Sequence, residues 1–476
     1  MRRLVRIATS CIAVAVAGLF GAKLCAAPVN FQQDVAPLLV KRCLACHGEQ
    51  KFKGEYQLHT LAALLKPGAS GEATVTPGQP ESSYLLQLVQ EADPDQRMPK
   101  GADKLADAEI DLLRRWVAEG AKTDGVEPLA TLVNVAQWKH PDPPEVYRRP
   151  FPVTAVAFHP EGKELAVGGH HEITVWSADD GKLLRRLKGI GERTYSLAYT
   201  KNGAQLAVAS GTPAQLGEVK LLNAADGAVV QHFGSLADCA LAVALSPDEQ
   251  RSAVGGADSI ARIYDVATGK ELVTIKDHSD WITSLAWSPD GTRLVTASRD
   301  KTCKVFDSQS GELITTFPDH GEAVLAIAYH SDGKHAISAG ADNRIRYWIA
   351  GDPGWENAEK MDKKKRHQIG EITGFTGPVQ HLVVSDGQLF ACSTDRSIRQ
   401  FDLEKRSAIR SFAGHQDWLF AADYHEGTKS LATAGLDGQV RIWKADSKDE
   451  KDPPVTIFVA APGFTPSDKT AAAAGE

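Results

Sequence analysis

From Val153 onward a single phase runs through the chain. Tyr264 in ARIYD, Phe306 in CKVFD and Trp348 in IRYW stand 42 residues apart in turn, and Phe401 in IRQFD and Trp443 in VRIW repeat the 42-residue step. Trp176 in ITVW and Leu222 in VKLLN extend the series towards the N-terminus, which makes seven units. Six residues before the anchor stands an aspartate in five units: Asp258, Asp300, Asp342, Asp395 and Asp437. Twenty-eight residues before it stands a histidine in three: His278, His320 and His415. Between them run short alternating stretches such as WITSLAWS and RLVTAS, separated by SPDG or SDG turns, which read as strands and hairpin loops. A period of about 40 to 45 residues made of four short strands is a repeat architecture rather than an ordinary single core. His170 takes the aspartate position in the first unit and Leu216 in the second, so these two are expected to be less regular. Between Trp348 and Phe401 the step lengthens to 53 residues, an insertion that carries the basic stretch EKMDKKKRHQ. That stretch reads as a solvated loop, or as a docking tongue for an acidic partner whose attraction weakens with salt.

The other constraint is KRCLACHGEQ, residues 41–50, where Cys43, Cys46 and His47 crowd together in a chain of only seven cysteines. A zinc ribbon would need a second close cysteine pair, and a thioredoxin-like dithiol would need a surrounding βαβ pattern; neither is present in the sequence. The CxxCH spacing is that of haem c attachment, with Cys43 and Cys46 as the thiols and His47 as the proximal ligand. Of the three methionines only Met98, in DPDQRMPKG, stands near this region, which makes it the choice for the distal ligand; His59 in YQLHT is the alternative. FQQDVAPLLVKRC places Phe31, Val35, Leu38 and Leu39 at helical spacing, with Pro37 either in the first turn or at a kink. LADAEIDLLRRWVAEGA places Ile110, Leu113, Trp116 and Val117 on one helical face and closes at Gly120.

The first residues carry three arginines, an apolar run from Ile7 to Phe20 and small residues at Ala26 and Ala27, the order of a cleaved export signal. The run is shorter than the roughly 20 residues a membrane span needs, so no integral span is expected after cleavage, with an uncleaved anchor as the minor reading. A net charge of -7 lacks the positive field that nucleic acid binding needs. The expected layout is a signal peptide at 1–27, a small all-α domain at 28–122, a Pro-rich linker at 123–150 that partly packs on its neighbours, an all-β repeat domain at 151–460 and a disordered tail at 461–476. The last strand of the repeat is expected from PVTIFVA or from the segment before Val153. The neighbouring histidines of GGHHE, His170 and His171, read as solvated rather than metal-binding.

Two resemblances follow from these motifs. FQQDVAPLLVKRCLACHG, KGEYQLHT, LLKPGASGEATVTPGQPESSYL, RMPKG and LADAEIDLLRRWVAEGA, taken in order over residues 29–121, resemble the planctomycete-type cytochrome c domain. The resemblance implies one covalently bound haem c on Cys43 and Cys46, with His47 and Met98 as axial ligands. Two positions depart from it: Lys100 replaces a common second proline, and Ala106 replaces the usual Ser or Thr helix cap, at a cost of about 1 kcal/mol. Residues 150–460 resemble the WD-repeat β-propeller, here seven-bladed. In that family the phased histidine and aspartate hydrogen-bond within each blade, so they are assigned to structure, not to catalysis. Together the resemblances imply an exported, periplasmic mono-haem cytochrome that carries single electrons and has no catalytic residues of its own, with the propeller docking an unknown redox partner protein. The alternatives are an oxidoreductase centred on the propeller and fed by the haem, as certain nitrite reductases suggest by analogy of fold, and a haem-based redox or gas sensor.

Overall fold

The apolar spacing ahead of the cysteines folds into helix in two parts. The computed structural model describes residues 27–44, 46–48, 53–123, 125–236, 238–351, 368–447, 449 and 452–465. The segment expected to be an export signal, apart from its last residue, nearly all of the basic insertion and the chain end from 466 lie outside the described residues. Asn30 Oδ1 accepts the Gln33 N–H at 2.8 Å and opens a widened turn, Phe31–Val35. Helix α1, Ala36–Arg42, follows with Pro37 in its first turn, where its missing N–H breaks no helical bond. Helices α2 (Leu61–Leu64), α3 (Tyr84–Gln90), α4 (Asp107–Ala118) and α5 (Leu132–Val135) complete the helical region. The uncapped start of α4 is partly made good by Glu109, whose carboxylate accepts the Ala106 N–H at 2.8 Å, half of a reciprocal cap. Phe31 and Trp116 are buried with ring centroids 5.5 Å apart, and they join the N-terminal helix to α4. Beneath them Val35, Leu39, Leu113 and Val117 form the core of this region.

The remainder is mostly β. The described strands form five sheets of four strands and one of seven, with neighbours in every sheet consecutive in the chain. The seven-stranded sheet arises from one long strand, Leu183–Tyr199. Its first half pairs with His170–Ser177 and its second half with Gln205–Thr212, so that it serves two repeat units at once. The seven anchors from Trp176 to Trp443 all lie on the third strand of their unit and are all buried, a placement worth about 2 kcal/mol each for side chains of this size. The phase seen in the sequence is therefore the spacing of core residues that recur at one place in each unit.

The first and last sheets meet. Strand Val156–Phe158 packs beside Leu419–His425. The Phe158 N–H donates to Asp423 Oδ2 at 2.7 Å, the Val153 N–H donates to the Gly435 carbonyl at 3.0 Å, and Trp176 stacks on Phe458 with centroids 4.7 Å apart. PVTIFVA supplies Thr456–Val459, which pairs with Gln439–Lys444 as the edge of the last sheet. The chain expected to be disordered from 461 is packed through its first described residues. Ala461 is buried, and the Pro462 carbonyl accepts the Tyr147 N–H at 3.0 Å, a contact between distant segments that local composition does not reveal.

Candidate functional site

Helix α1 ends at Cys43, whose N–H still donates to the Leu39 carbonyl at 2.9 Å. The Cys46 and His47 N–H groups both turn back onto the Cys43 carbonyl, at 3.2 and 3.1 Å, so one turn holds the two thiols and the imidazole together. His47 is then fixed from two sides. Its carbonyl accepts the Leu58 N–H at 2.8 Å, and its Nδ1 lies 3.1 Å from the Tyr56 carbonyl oxygen. A carbonyl can only accept, so Nδ1 carries the proton and Nε2 keeps its lone pair for a metal. Tyr56 is itself held, since its hydroxyl donates to the Leu64 carbonyl at 2.9 Å and its ring meets His47 edge-on at 5.2 Å.

Cys43 and Cys46 are not joined in a disulfide. Burial pushes the Cys43 thiol up to about 12, with the neighbouring Arg42 charge opposing, so it stays protonated at neutral pH. A redox dithiol needs the opposite shift. Met98 packs half-buried against the same apolar core as Cys43, and its N–H donates to the Leu88 carbonyl at 3.0 Å. The adjoining Arg97 has a buried Nε with no hydrogen-bond partner among the described residues. His59 stands just before α2, and its carbonyl accepts the Leu132 N–H at 2.8 Å. Two thiols, an imidazole with its outer nitrogen already satisfied, a thioether on the same core and an orphaned guanidinium nitrogen are a donor set that fits haem c.

The family comparisons agree with this geometry. Residues 43–101, from the first cysteine to just beyond Met98, match the model for Planctomycete cytochrome C. Residues 146–177, 269–307, 311–348 and 406–444 match that for the WD domain, G-beta repeat. The chain fuses a planctomycete-type cytochrome c domain to WD repeats. Among curated proteins, the chain is similar to an uncharacterized WD repeat-containing protein of Schizosaccharomyces pombe, 37% identical over 57 residues, which is 12% of this chain and 11% of that protein. It is also similar to human DDB1- and CUL4-associated factor 10, 35% identical over 82 residues, which is 17% of this chain and 15% of that protein. The chain thus spans less than a fifth of the length of these relatives.

Inside the WD repeats the phased residues are bound up in structure. His278 Nδ1 lies 2.7 Å from Asp300 and its Nε2 lies 2.7 Å from Thr296 Oγ1; His320 pairs with Asp342 at 3.1 Å and Ser338 at 2.7 Å. An arginine two residues before the anchor also pairs with the aspartate, alone in two units, Arg262 with Asp258 at 2.8 Å and Arg399 with Asp395 at 3.0 Å, and beside His320 in a third, Arg346 with Asp342. The last unit departs from expectation. His415 Nε2 reaches Thr433 at 2.8 Å, but neither His415 Nδ1 nor Asp437 Oδ2 has a hydrogen-bond partner among the described residues. Burial, with the charge of Arg441 added, pushes the His415 imidazole down to about 3, so it is neutral at pH 7. His170 is exposed and His171 half-buried, with His171 Nδ1 at 3.2 Å from the Ile190 carbonyl. Among the described residues no group of three or more His, Cys, Asp or Glu could hold a metal ion.

Sequence reasoning missed Tyr56 and Arg97, which have no motif of their own. It also missed Glu172 and Glu218, both fully buried in the first two units. Their signal was available, because each stands four residues before its anchor and no other unit has an acid there.

Proposed function

We propose that the protein is an exported mono-haem c-type cytochrome for one-electron transfer, with its WD repeats closed into a seven-bladed propeller that docks a redox partner. Cys43 and Cys46 would hold the haem through thioethers, and His47 and Met98 would ligate the iron. The observation that carries this reading is the hydrogen bond from His47 Nδ1 to Tyr56, which fixes the tautomer and ring orientation a proximal ligand needs. Bound there, haem c supplies a single reversible electron, and thioether ligation favours a raised potential. The chain's own residues position the axial imidazole, bring Met98 to the core that borders Cys43 and exclude water with Leu39, Leu58 and Val35, all buried.

Closure into seven blades is supported by the long shared strand, which counts as two blades in one sheet, and by the contact between the first and last sheets. The propeller serves as scaffold rather than catalyst in this reading, since its recurrent histidines and aspartates are engaged within blades. The export signal supports assignment to the periplasm, the compartment where thioether attachment takes place.

Optical spectroscopy and redox titration of the purified holoprotein test the proposal. The wild type is expected to be low-spin in both oxidation states, and Met98→Ala is expected to lower the potential and open the iron to carbon monoxide. A high-spin ferric haem that Met98→Ala leaves unchanged would overturn it.

A further inference from the structure

The first two WD units lack the aspartate at the usual phase, and both carry instead a buried glutamate four residues before the anchor, Glu172 and Glu218. Neither glutamate is completed within its own unit alone. His140 Nε2, from the segment between the domains, lies 2.8 Å from Glu218 Oε1, with the two side chains only 5% and 1% exposed. Lys220 Nζ at 2.9 Å and the Gly191 N–H at 3.1 Å converge on the same oxygen. In the first unit the Tyr147 hydroxyl donates to Glu172 Oε1 at 2.7 Å, and Arg186 clamps both oxygens at 2.6 and 2.8 Å. Arg186 then continues outward to the carbonyls of Pro144 and Glu145, at 2.7 and 3.1 Å.

The same segment grips the cytochrome domain at its other end. Leu132 and Ala136 are fully buried in the cytochrome core, and α5 lies between α1 and strand Val229–Leu236 of the second unit. The Gln137 N–H donates to the Gln32 carbonyl at 2.8 Å, its side-chain amide donates to Gln32 Oε1 at 2.7 Å, and Lys139 pairs with Asp34 at 2.9 Å.

We infer that the first two WD units are a docking site for this chain's own segment 137–147, and that their departure from the repeat is the trace of that specialisation. Four of the five units that carry the phased aspartate pair it with their own histidine or arginine. These two each take a further contact from the segment, the Tyr147 hydroxyl on Glu172 and the His140 ring beside Glu218, and a buried carboxylate that loses such a contact is destabilised. The segment is therefore a strap that holds the cytochrome domain in one position on the propeller, not a flexible tether. The inference deepens the proposed function: a redox partner would meet the haem and the propeller as one fixed composite surface.

The test uses the full-length holoprotein, with limited proteolysis within residues 123–150 and thermal unfolding followed by haem absorbance and by far-ultraviolet circular dichroism. In the wild type the segment is expected to resist cleavage and the two unfolding signals to coincide. In His140→Ala/Tyr147→Phe, cleavage is expected to rise roughly ten-fold as local opening becomes easier, and the two transitions to separate, with the native haem spectrum unchanged. Should that variant fail to fold, Gln137→Ala/Lys139→Ala loosens the exposed end of the strap and is expected to give the same separation. Rapid cleavage or separate transitions in the wild type would overturn the inference, as would folded variants that behave like the wild type. These readouts are independent of whether Met98 ligates the iron, so a failure here is distinguishable from a failure of the electron-transfer proposal.

Discussion

Two aspartates in the WD repeats respond to pH with opposite sign. Asp423 lies on the wall of a cavity of about 340 Å³ lined by the first strands of the first, second and last units, and it accepts the N–H groups of Phe158 and Tyr424. Its removal from bulk water outweighs those bonds and pushes its carboxyl up to about 6. The folded state then holds a proton that the unfolded chain has lost, so the contribution is full below the unfolded value near 4 and is lost as pH rises through about 6. Asp423→Asn is accordingly expected to raise the melting temperature at pH 8 by the equivalent of about 2 kcal/mol and to do little at about pH 3.5, below the unfolded value. Equal shifts at both values would contradict the assignment. Asp300 is the reverse case. Burial alone would raise its carboxyl, but the bonds from His278 and Thr302 hold it below the usual carboxylate range. Its contribution is present above the unfolded value near 4 and is lost as pH falls below it, so Asp300→Asn is expected to flatten the loss of stability below about pH 4 in denaturation curves.

At the scale of elements, α4 offers a direct test of local design. Ala106 has the extended backbone of an N-cap but no side-chain acceptor, and only the Glu109 half of the reciprocal cap is made. Ala106→Ser supplies the missing acceptor and is expected to stabilise the cytochrome domain by about 1 kcal/mol in urea unfolding; a destabilised variant would show that another contact governs this end. Elements of this kind were legible in the sequence. The helices flanking the cysteines and the third strand of every unit follow from apolar periodicity and from the recurring anchor. What was not legible depends on pairing across long separations. Nothing near His140 names Glu218 as its partner, and nothing near His415 shows that its nitrogen will face away from Asp437. The proposed haem ligands were named from spacing and scarcity, whereas Tyr56, which meets His47, acts through a backbone carbonyl that any residue could provide.

For the whole molecule, the helical domain and the WD repeats share one interdomain segment that is buried at both ends, and each half thereby constrains where the other can present its surface. Charge supports the same division of labour: with a net charge of -7, encounter with a basic partner gains from steering that salt weakens. Reduction of the holoprotein by such a partner is expected to slow as ionic strength rises, and a rate independent of salt in stopped-flow measurements would argue against charged docking. The central claim, that a single haem c is built into Cys43 and Cys46, is tested most directly by the intact mass of the holoprotein under denaturing conditions. The account predicts one haem covalently retained per chain and none retained in Cys43→Ser/Cys46→Ser. A wild-type chain that releases its haem on denaturation, or that never acquires one when co-expressed with the haem-attachment machinery, would contradict it.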